Sequence, residues 1–226
     1  MTDALKPEIE ALKLSSLVHV SYYTASDTSY PPAPPSINNQ DDAVISSEAV
    51  IADLQKNYPV HLTEFDGYLI ACYSDHPLVY KLRDIVSEKA VVMGIFQASM
   101  LYALQHSTPT GKAAILTSNN EWRPILDMAI SNFCGYEDDV FPHYKFERTH
   151  AAGVPVLELH SPKSYSIIQR RVDFMTMFGI KVILLGCAGL SCWTKQLKHD
   201  FPNVKFVDSV TVGIELLISF INIQKM

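Results

Sequence analysis

Two stretches of the sequence follow one plan, and this repetition constrains the fold more than any other feature. The first, Asp66–Asp75, is a short apolar run that leads to Cys72, and the second, Gly179–Ser191, is an apolar run that leads to Cys187. Such runs are typical of strands that a parallel sheet buries on both faces. Helix-start signals follow both cysteines: Ser74, Asp75 and Pro77 after the first, and Ser191 as a candidate N-cap after the second. Each thiol is therefore predicted to lie between a strand end and a helix start.

This predicted position suggests chemistry as well as structure. Open parallel sheets bind ligands beyond the carboxyl ends of their strands, where helix N-termini supply amide donors and partial positive charge. The same field favours thiolate over thiol, so we expect it to lower the pKa of at least one of the two cysteines. For either cysteine alone, a role as a small buried apolar residue is equally open. Two cysteines in matching contexts favour the chemical interpretation.

Composition narrows the class of protein. The 226 residues are 48% hydrophobic and 19% charged, which is enough for one large or two small globular domains. The net charge of −6 comes without a basic block, so we expect a small-molecule ligand and neither nucleic acid nor a membrane as partner. No apolar run reaches the roughly 18 residues that span a bilayer, and Met1–Ser16 lacks an apolar signal core. We therefore expect a cytoplasmic protein whose four cysteines are free thiols.

The chain alternates predicted strands and helices, which indicates parallel sheets joined by right-handed crossovers. Strands are predicted at 17–20, 60–62, 68–71, 90–94, 112–117, 154–158, before Cys187, and at 204–207. Helices are predicted at about 1–14, 46–54 with Ser46 as cap, 78–87, 96–105, 121–132, 164–177, after Ser191, and at 210–221. The turn cluster Thr108–Gly111 divides the chain into an N-terminal lobe, 1–109, and a C-terminal lobe, 110–226. Two α/β lobes facing each other across a cleft follow from this pattern, with the last helix, about 210–221, able to pack back on the first lobe.

A long irregular stretch, Tyr22–Asp42, follows the first predicted strand and contains four prolines, at 31, 32, 34 and 35. Loops of this length in compact domains are usually functional or disordered. Two interpretations stay open: a solvated polyproline connector, or a flap over a pocket at the end of the first strand.

Several segments resemble motifs of one enzyme family. They are Ala71–Asp75, Gly94–Ala98, Ile115–Thr117, Leu185–Gly189 and Val207–Val210. Over roughly 17–217 the sequence is similar to the aspartate/glutamate racemase superfamily, and specifically to its hydantoin and allantoin racemase branch. The Gly-Cys-Ala-Gly run that ends at Gly189 is the most specific of these motifs.

The resemblance implies a fold, a site and a mechanism. The fold is two pseudo-symmetric Rossmann-like lobes, each a parallel sheet flanked by helices, with the active site in the cleft and no cofactor. Cys72 and Cys187 match the two family cysteines, of which one thiolate removes the proton from the substrate's α-carbon while the other, as a thiol, returns a proton to the opposite face. We expect a small cyclic ureide or related carbon acid as substrate, and a homo-oligomer. The candidate substrate-binding residues are Ser21, Thr24, Ser74, Thr117, Ser118, Ala188 and Gly189.

The proposed chemistry also follows from the residues themselves. Inverting a carbon acid beside a carbonyl requires a base on one face and an acid on the other, and two equivalent thiols suit that symmetry. With a reference pKa near 8.5, only a few per cent of an ordinary cysteine is ionised at neutral pH, so the environment must favour the thiolate. Cys134 and Cys192 are predicted to be packing residues. Asp75 and Asp208 either orient the site or serve as turn and cap residues.

The substrate and the class of reaction are less constrained. Hydantoin racemases typically carry Asn-Pro-Asn-Thr/Ser after the first strand, where this chain has Ser21–Thr24, so hydantoin, allantoin and another cyclic ureide all remain open. The alternatives are a cysteine-dependent isomerase or decarboxylase of a small dicarboxylate, and a non-catalytic ligand-binding relative. Two matched thiols disfavour a decarboxylase and a binding protein, and the lack of an arginine beside either cysteine motif favours a neutral ring. The eight histidines form no close metal-ligand pattern, so no metal site is predicted.

Overall fold

The structure, a computed structural model, describes residues 5–26, 28–108, 110–136 and 140–226. The helices are α1 (Lys6–Glu10), α2 (Gln40–Asn57), α3 (Pro77–Ile85), α4 (Ile95–His106), α5 (Trp122–Phe133), α6 (Pro162–Met177), α7 (Thr194–Asp200) and α8 (Ser209–Gln224). The strands are β1 (Gly67–Ile70), β2 (Val91–Gly94), β3 (Ala113–Thr117), β4 (His150–Ala151), β5 (Val182–Leu185) and β6 (Lys205–Asp208). Short 3-10 helices span Pro59–Leu62, Val156–Glu158 and Ala188–Trp193. No helix in these ranges is long and apolar enough to cross a membrane.

The described strands form two parallel sheets. β1 pairs with β2, with Gly67 opposite Val91, and the second sheet has the strand order β4-β3-β5-β6. β3 and β5 pair with Ala113 opposite Val182, and each residue of both strands is buried. Burial on both faces explains why these two strands read as uninterrupted apolar runs in the sequence. The predicted class, an α/β fold of parallel sheets flanked by helices, is confirmed.

The last helix, α8, follows the last strand of the second sheet but packs against the first sheet. It contacts β1, β2 and α4. The approach is close, since a Cβ added at Gly213 would lie 3.0 Å from Leu69 Cδ1, and one added at Gly67 would lie 2.8 Å from Ile221 Cδ1. Asp208 caps the helix by accepting hydrogen bonds from the backbone N–H groups of Val210 and Thr211. The division into lobes 1–109 and 110–226 stays a prediction.

Two predicted strands are wrong. Residues 60–62 belong to the 3-10 helix Pro59–Leu62, and residues 154–158 include the 3-10 helix Val156–Glu158, so that the edge strand of the second sheet is β4 instead. Both segments carry a proline where the turn begins, Pro59 and Pro155, and proline has no N–H to donate to a strand ladder.

The predicted strand at 17–20 is also wrong. Val18 and Val20 are half-buried while Leu17 and His19 are exposed, as in a one-sided strand, but the described residues offer these positions no strand partner. Val20 packs against the apolar core as part of an irregular segment. The alternation of apolar and polar residues at 17–20 therefore indicates that one side of the segment is buried, and such burial does not require the backbone to pair with a strand.

Several predicted helix starts also differ from the structure. α2 begins six residues before Ser46, because Asn39 caps it by accepting a hydrogen bond from the Asp42 N–H at 2.9 Å. Ser191 is not an N-cap but lies inside a 3-10 helix, where its hydroxyl donates to Asp208. The helix predicted at 1–14 is the shorter α1, and residues 1–4 lie outside the described residues.

Candidate active site

Cys72 lies in the segment between β1 and α3, as predicted. Its side chain is half-buried, and its Sγ lies 3.7 Å from the hydroxyl oxygen of the buried Ser74. Pro77 occupies the first turn of α3, but the cap is His76, whose Nδ1 accepts a hydrogen bond from the Leu78 N–H at 3.2 Å. The prediction that Ser74 or Asp75 would cap this helix is therefore wrong, and Ser74 is free to contact the thiol.

Cys187 directly follows β5 and precedes the 3-10 helix Ala188–Trp193. The residue before it, Gly186, donates its N–H to the Leu116 carbonyl at 2.8 Å. The same glycine accepts a hydrogen bond from Thr117 Oγ1 at 3.1 Å. Thr117, predicted to bind substrate, thus uses its hydroxyl proton to fix the backbone beside Cys187.

The two cysteine segments meet. Tyr73, the neighbour of Cys72, is buried, and its hydroxyl lies 2.8 Å from that of Ser99. A Cβ added at Gly186 would lie 3.4 Å from Tyr73 Cε1, so the tyrosine ring packs beside the residue that precedes Cys187. A negative charge on Cys187 would further raise the pKa of Cys72. The fold thus brings together the two segments that carry Cys72 and Cys187, which come from two different sheets.

The expected lowering of the thiol pKa values is wrong for this structure. Burial raises the pKa of Cys72 to about 12, although the hydrogen bond from Ser74 acts in the opposite direction. Burial likewise raises the pKa of Cys187 to about 11, although the Gly189 backbone amide lowers it. Desolvation opposes the charged form of an acid, and here it outweighs the local donors. Both groups are therefore thiols at neutral pH.

The predicted binding residues on the N-terminal side lie in an irregular segment. Ser21 and Thr24 are exposed. Tyr23, between them, donates a hydrogen bond to the buried Asp53 of α2, and it packs against the same apolar cluster as Cys72. The tyrosine-containing segment is thus anchored on the Cys72 side of the molecule.

The predicted binding residues on the C-terminal side are buried at the carboxyl ends of β3 and β5. Ser118 directly follows β3, and its carbonyl accepts hydrogen bonds from the N–H groups of Gly153 at 2.8 Å and Val154 at 3.1 Å. Ala188 and Gly189 form the first turn after Cys187. Cys187 is therefore followed directly by two small buried residues, and the Gly189 amide interacts with its sulfur.

Two aspartates hold the cysteine segments in place. Asp75 Oδ1 accepts hydrogen bonds from the Tyr80 hydroxyl and from Gln97 Nε2, both at 2.8 Å. Asp208, besides capping α8, accepts a hydrogen bond from Ser191 at 3.0 Å and one from Thr194 at 3.1 Å. Both aspartates therefore hold neighbouring segments in place through hydrogen bonds. Within the described ranges, no three His, Cys, Asp or Glu side chains gather in a way that could hold a metal ion.

Sequence reasoning missed a polar cavity at the ends of β3 and β4. The cavity has a volume of about 350 Å³. The residues that line it are Asn38, Asn119, Asn120, Glu121, Gly153, Val154 and Pro155. Asn119 and Asn120 directly follow Ser118, and their place at the end of a buried strand was the available signal. Asn38 belongs to the proline-rich stretch, so that stretch does border a pocket, but at the end of β3 rather than at 17–20.

Comparison with known proteins gives consistent matches. The model of the Asp/Glu/Hydantoin racemase family matches residues 1–217. Protein DCG1 of Saccharomyces cerevisiae is 33% identical over 239 residues, covering 100% of this chain and 94% of that protein.

Two solved structures show the same fold at low identity. The allantoin racemase from Pseudomonas fluorescens has a TM-score of 0.78 at 19% identity, covering 98% of this chain and 86% of that one. The glutamate racemase from Campylobacter jejuni has a TM-score of 0.59 at 14% identity, covering 84% and 72%.

Proposed function

The chain belongs to the Asp/Glu/Hydantoin racemase family, and from this membership we propose that it is a cofactor-independent racemase of a 5-substituted hydantoin or of allantoin. The observation that carries the proposal is the meeting of the Cys72 and Cys187 segments through Tyr73 and Gly186. Each segment joins a parallel strand to the helix that follows it, where such sheets bind ligands. The fold shared with the allantoin racemase of Pseudomonas fluorescens supports a cyclic ureide as the substrate class.

In the proposed reaction the flat ring lies between the two sulfurs. One thiolate takes the proton from C5 of the ring, and the electron pair of the broken C–H bond moves onto the neighbouring carbonyl oxygen. The other thiol then gives its proton to the opposite face of C5, which restores the carbonyl and leaves that sulfur as the thiolate. The two enantiomers are therefore processed by opposite protonation states of the Cys72 and Cys187 pair.

The surrounding residues divide into those that bind the developing charge and those that position the thiols. We assign the charge-binding role to Ser118 and to the backbone amides of Ala188 and Gly189, because preorganised donors at a buried site stabilise an oxyanion. Thr117 acts as a positioning residue through its hydrogen bond to Gly186.

Ionisation of a thiol is the costly step. With the pKa of Cys187 at about 11, forming its thiolate near neutral pH costs about 5 kcal/mol, at about 1.4 kcal/mol per pH unit. Hydrogen bonds to a charged acceptor are worth about 1.5–3 kcal/mol each. The Gly189 amide already contributes to this pKa, so the further offset in the complex would come from a donor on the substrate, such as a ring N–H beside the reacting carbon.

The test is isotope exchange with single enantiomers of allantoin and of 5-substituted hydantoins in D2O. The wild type should invert the substrate and place deuterium at C5. Cys72→Ser and Cys187→Ser should each lose inversion by more than 100-fold, while each still exchanges the enantiomer whose proton faces the remaining thiol. Cys134→Ser, the same change at the end of α5, is the matched control and should leave both rates unchanged.

Two results would contradict the proposal. Full racemisation by either single variant, above the spontaneous rate, would exclude a two-thiol mechanism. Absence of exchange with every ureide, together with turnover of aspartate or glutamate, would support the dicarboxylate alternative instead.

A further inference from the structure

Tyr73 connects the two cysteine segments through its side chain. Cys72, the residue before it, packs against the apolar cluster that contains Ile70 of β1. Tyr73 is instead buried in the cluster that contains Ile115 of β3 and Ala188, the residue after Cys187. The tyrosine side chain therefore reaches from the Cys72 segment into the core that supports the Cys187 segment.

The tyrosine ring occupies the space beside the Cys187 segment. A Cβ added at Gly186 would lie 3.4 Å from Tyr73 Cε1, so the ring passes close to the backbone that leads to Cys187. The ring of Phe96 lies almost perpendicular to it, with the two centroids 5.7 Å apart, in the edge-to-face arrangement that aromatic pairs prefer. Because a close-packed interior transmits displacements, the place of this ring determines how closely the two segments approach each other.

A hydrogen bond holds the outer end of the ring. The hydroxyl oxygens of Tyr73 and Ser99 lie 2.8 Å apart, and both side chains are buried. Ser99 donates its own proton to the Phe96 carbonyl at 2.9 Å, so Tyr73 is the donor in the bond between the two hydroxyls. Burial raises the pKa of Tyr73, so the hydroxyl keeps this proton at neutral pH. Tyr73 is thus suited to hold a position rather than to transfer a proton.

The acceptor of this hydrogen bond lies on a helix that contacts both sheets. Ser99 belongs to α4, which packs against β2 of the first sheet and β5 of the second. The bond therefore fixes Tyr73, and the adjoining Cys72, relative to the strand that ends just before Gly186 and Cys187.

We propose that Tyr73 is a positioning residue that sets the separation of the two thiols, with its ring as the spacer and its bond to Ser99 as the tether. The inference rests on the proposed racemase function, in which a flat substrate must lie within reach of both sulfurs. A misplacement of about 1 Å can cost on the order of 100-fold in rate. Loss of the tether should therefore slow proton delivery by the second thiol more than proton removal by the first.

The test follows single enantiomers of allantoin and of 5-substituted hydantoins in D2O and separates two products. Deuterium that appears with inversion requires both thiols, whereas deuterium that appears with retention requires only the thiol that removed the proton, after this thiol has exchanged with solvent. The ratio of the two rates reports how well the second thiol is placed. A lower fraction of folded protein reduces both rates alike and leaves the ratio unchanged.

Tyr73→Phe and Ser99→Ala should each lower the ratio of inversion to retention by about 10-fold, with the KM within about 2-fold of the wild-type value. Ser99→Ala leaves a buried donor without its acceptor, so it should also lower the midpoint of urea denaturation. The double variant replaces both partners by apolar groups and should regain most of this stability. Its ratio should nevertheless stay as low as that of the single variants, because the tether is still missing.

Tyr68→Phe is the matched control. It removes a hydroxyl that donates one hydrogen bond of 2.8 Å, to the His61 carbonyl, from the strand that leads to Cys72, and it should leave the ratio unchanged. A wild-type ratio in Tyr73→Phe, or a ratio that recovers together with stability in the double variant, would overturn the positioning role while leaving the racemase proposal intact. Absence of wild-type exchange with every ureide would instead contradict the proposed function, and the positioning role with it.

Discussion

The two cysteine segments occupy equivalent places in the fold but are held in different ways. Cys187 follows β5, which pairs with β3 in the fully buried centre of the sheet, and the main chain of the residue before it is hydrogen-bonded to Leu116 and to the Thr117 hydroxyl. Cys72 follows β1, a strand of a two-stranded sheet whose first three residues are only half-buried, and side chains such as Asp75 hold its segment. The comparison teaches that matching sequence patterns set the position of a thiol, while the sheet behind it sets how firmly it is held.

The sharpest test of this difference uses the small residue before each cysteine. A Cβ at Gly186 would lie 2.3 Å from Ile115 Cγ2, on a β-branched side chain in the core, and 3.1 Å from the Leu116 carbonyl oxygen. Gly186→Ala should therefore lower the free energy of unfolding by about 1–3 kcal/mol, measured by urea denaturation. Racemase activity should fall by more than 10-fold.

The counterpart is Ala71→Gly, the reverse change before Cys72. Ala71 is exposed, so the change should cost less than about 1 kcal/mol, through added freedom of the unfolded chain. Equal effects of the two substitutions would contradict the proposed difference between the segments.

Loss of Asp208, on the Cys187 side, should destabilise the protein more than loss of Asp75, on the Cys72 side. Asp208→Ala removes the cap of α8 and the acceptor of two hydroxyl groups, Ser191 and Thr194, so it should cost about 2 kcal/mol of unfolding free energy. Asp75→Ala removes only side-chain hydrogen bonds, one of them to the exposed Tyr80, and should cost about 1 kcal/mol. Thermal unfolding of both variants checks the order, and a larger loss at Asp75 would reverse the comparison.

The smallest expected difference lies in the pKa values of the two thiols. Burial raises both, to about 12 for Cys72 and about 11 for Cys187, so the thiolate fraction of each should still be rising at pH 10. Iodoacetamide labelling followed by mass spectrometry should show rates that increase about 10-fold per pH unit between pH 8 and 10, since each thiol is far below its midpoint. At a given pH the two thiols should react at rates within about 10-fold of each other, because burial raises both pKa values. A plateau by pH 8 at either residue would contradict the raised pKa of that thiol.

The sequence predicted what depends on local pattern. The apolar runs of β3 and β5 identified the central strands, and the cysteines after β1 and β5 lie at the carboxyl edges where the candidate site was expected. It did not predict the amount of burial, which decides the pKa of both thiols and depends on how the two segments meet. The Tyr73 and Gly186 contact joins positions that are distant in the chain, and no local signal marks it.

The predicted helix starts were wrong for a related reason, since they too depend on contacts that the local sequence does not show. Asn39 lies at the end of the proline-rich stretch, where a cap is hard to distinguish from a turn residue, so the predicted start of α2 at Ser46 is too late. The buried side-chain oxygen of Asn119 could not be predicted to lack a hydrogen-bond partner in the described part of the chain, because this depends on the residues that surround it in the fold. Missed features of this kind come from tertiary packing rather than from unusual residue choice.

The return of α8 to the first sheet has a consequence for the order of folding during synthesis. A two-stranded sheet is not stable by itself in water, and α8, which covers β1 and β2, leaves the ribosome only after the described strands of both sheets. The segment that carries Cys72 is thus made early but completed late, after the second sheet has emerged and can fold around β3 and β5. A chain shortened before Ser209 should therefore lose the order of its first half rather than of its second.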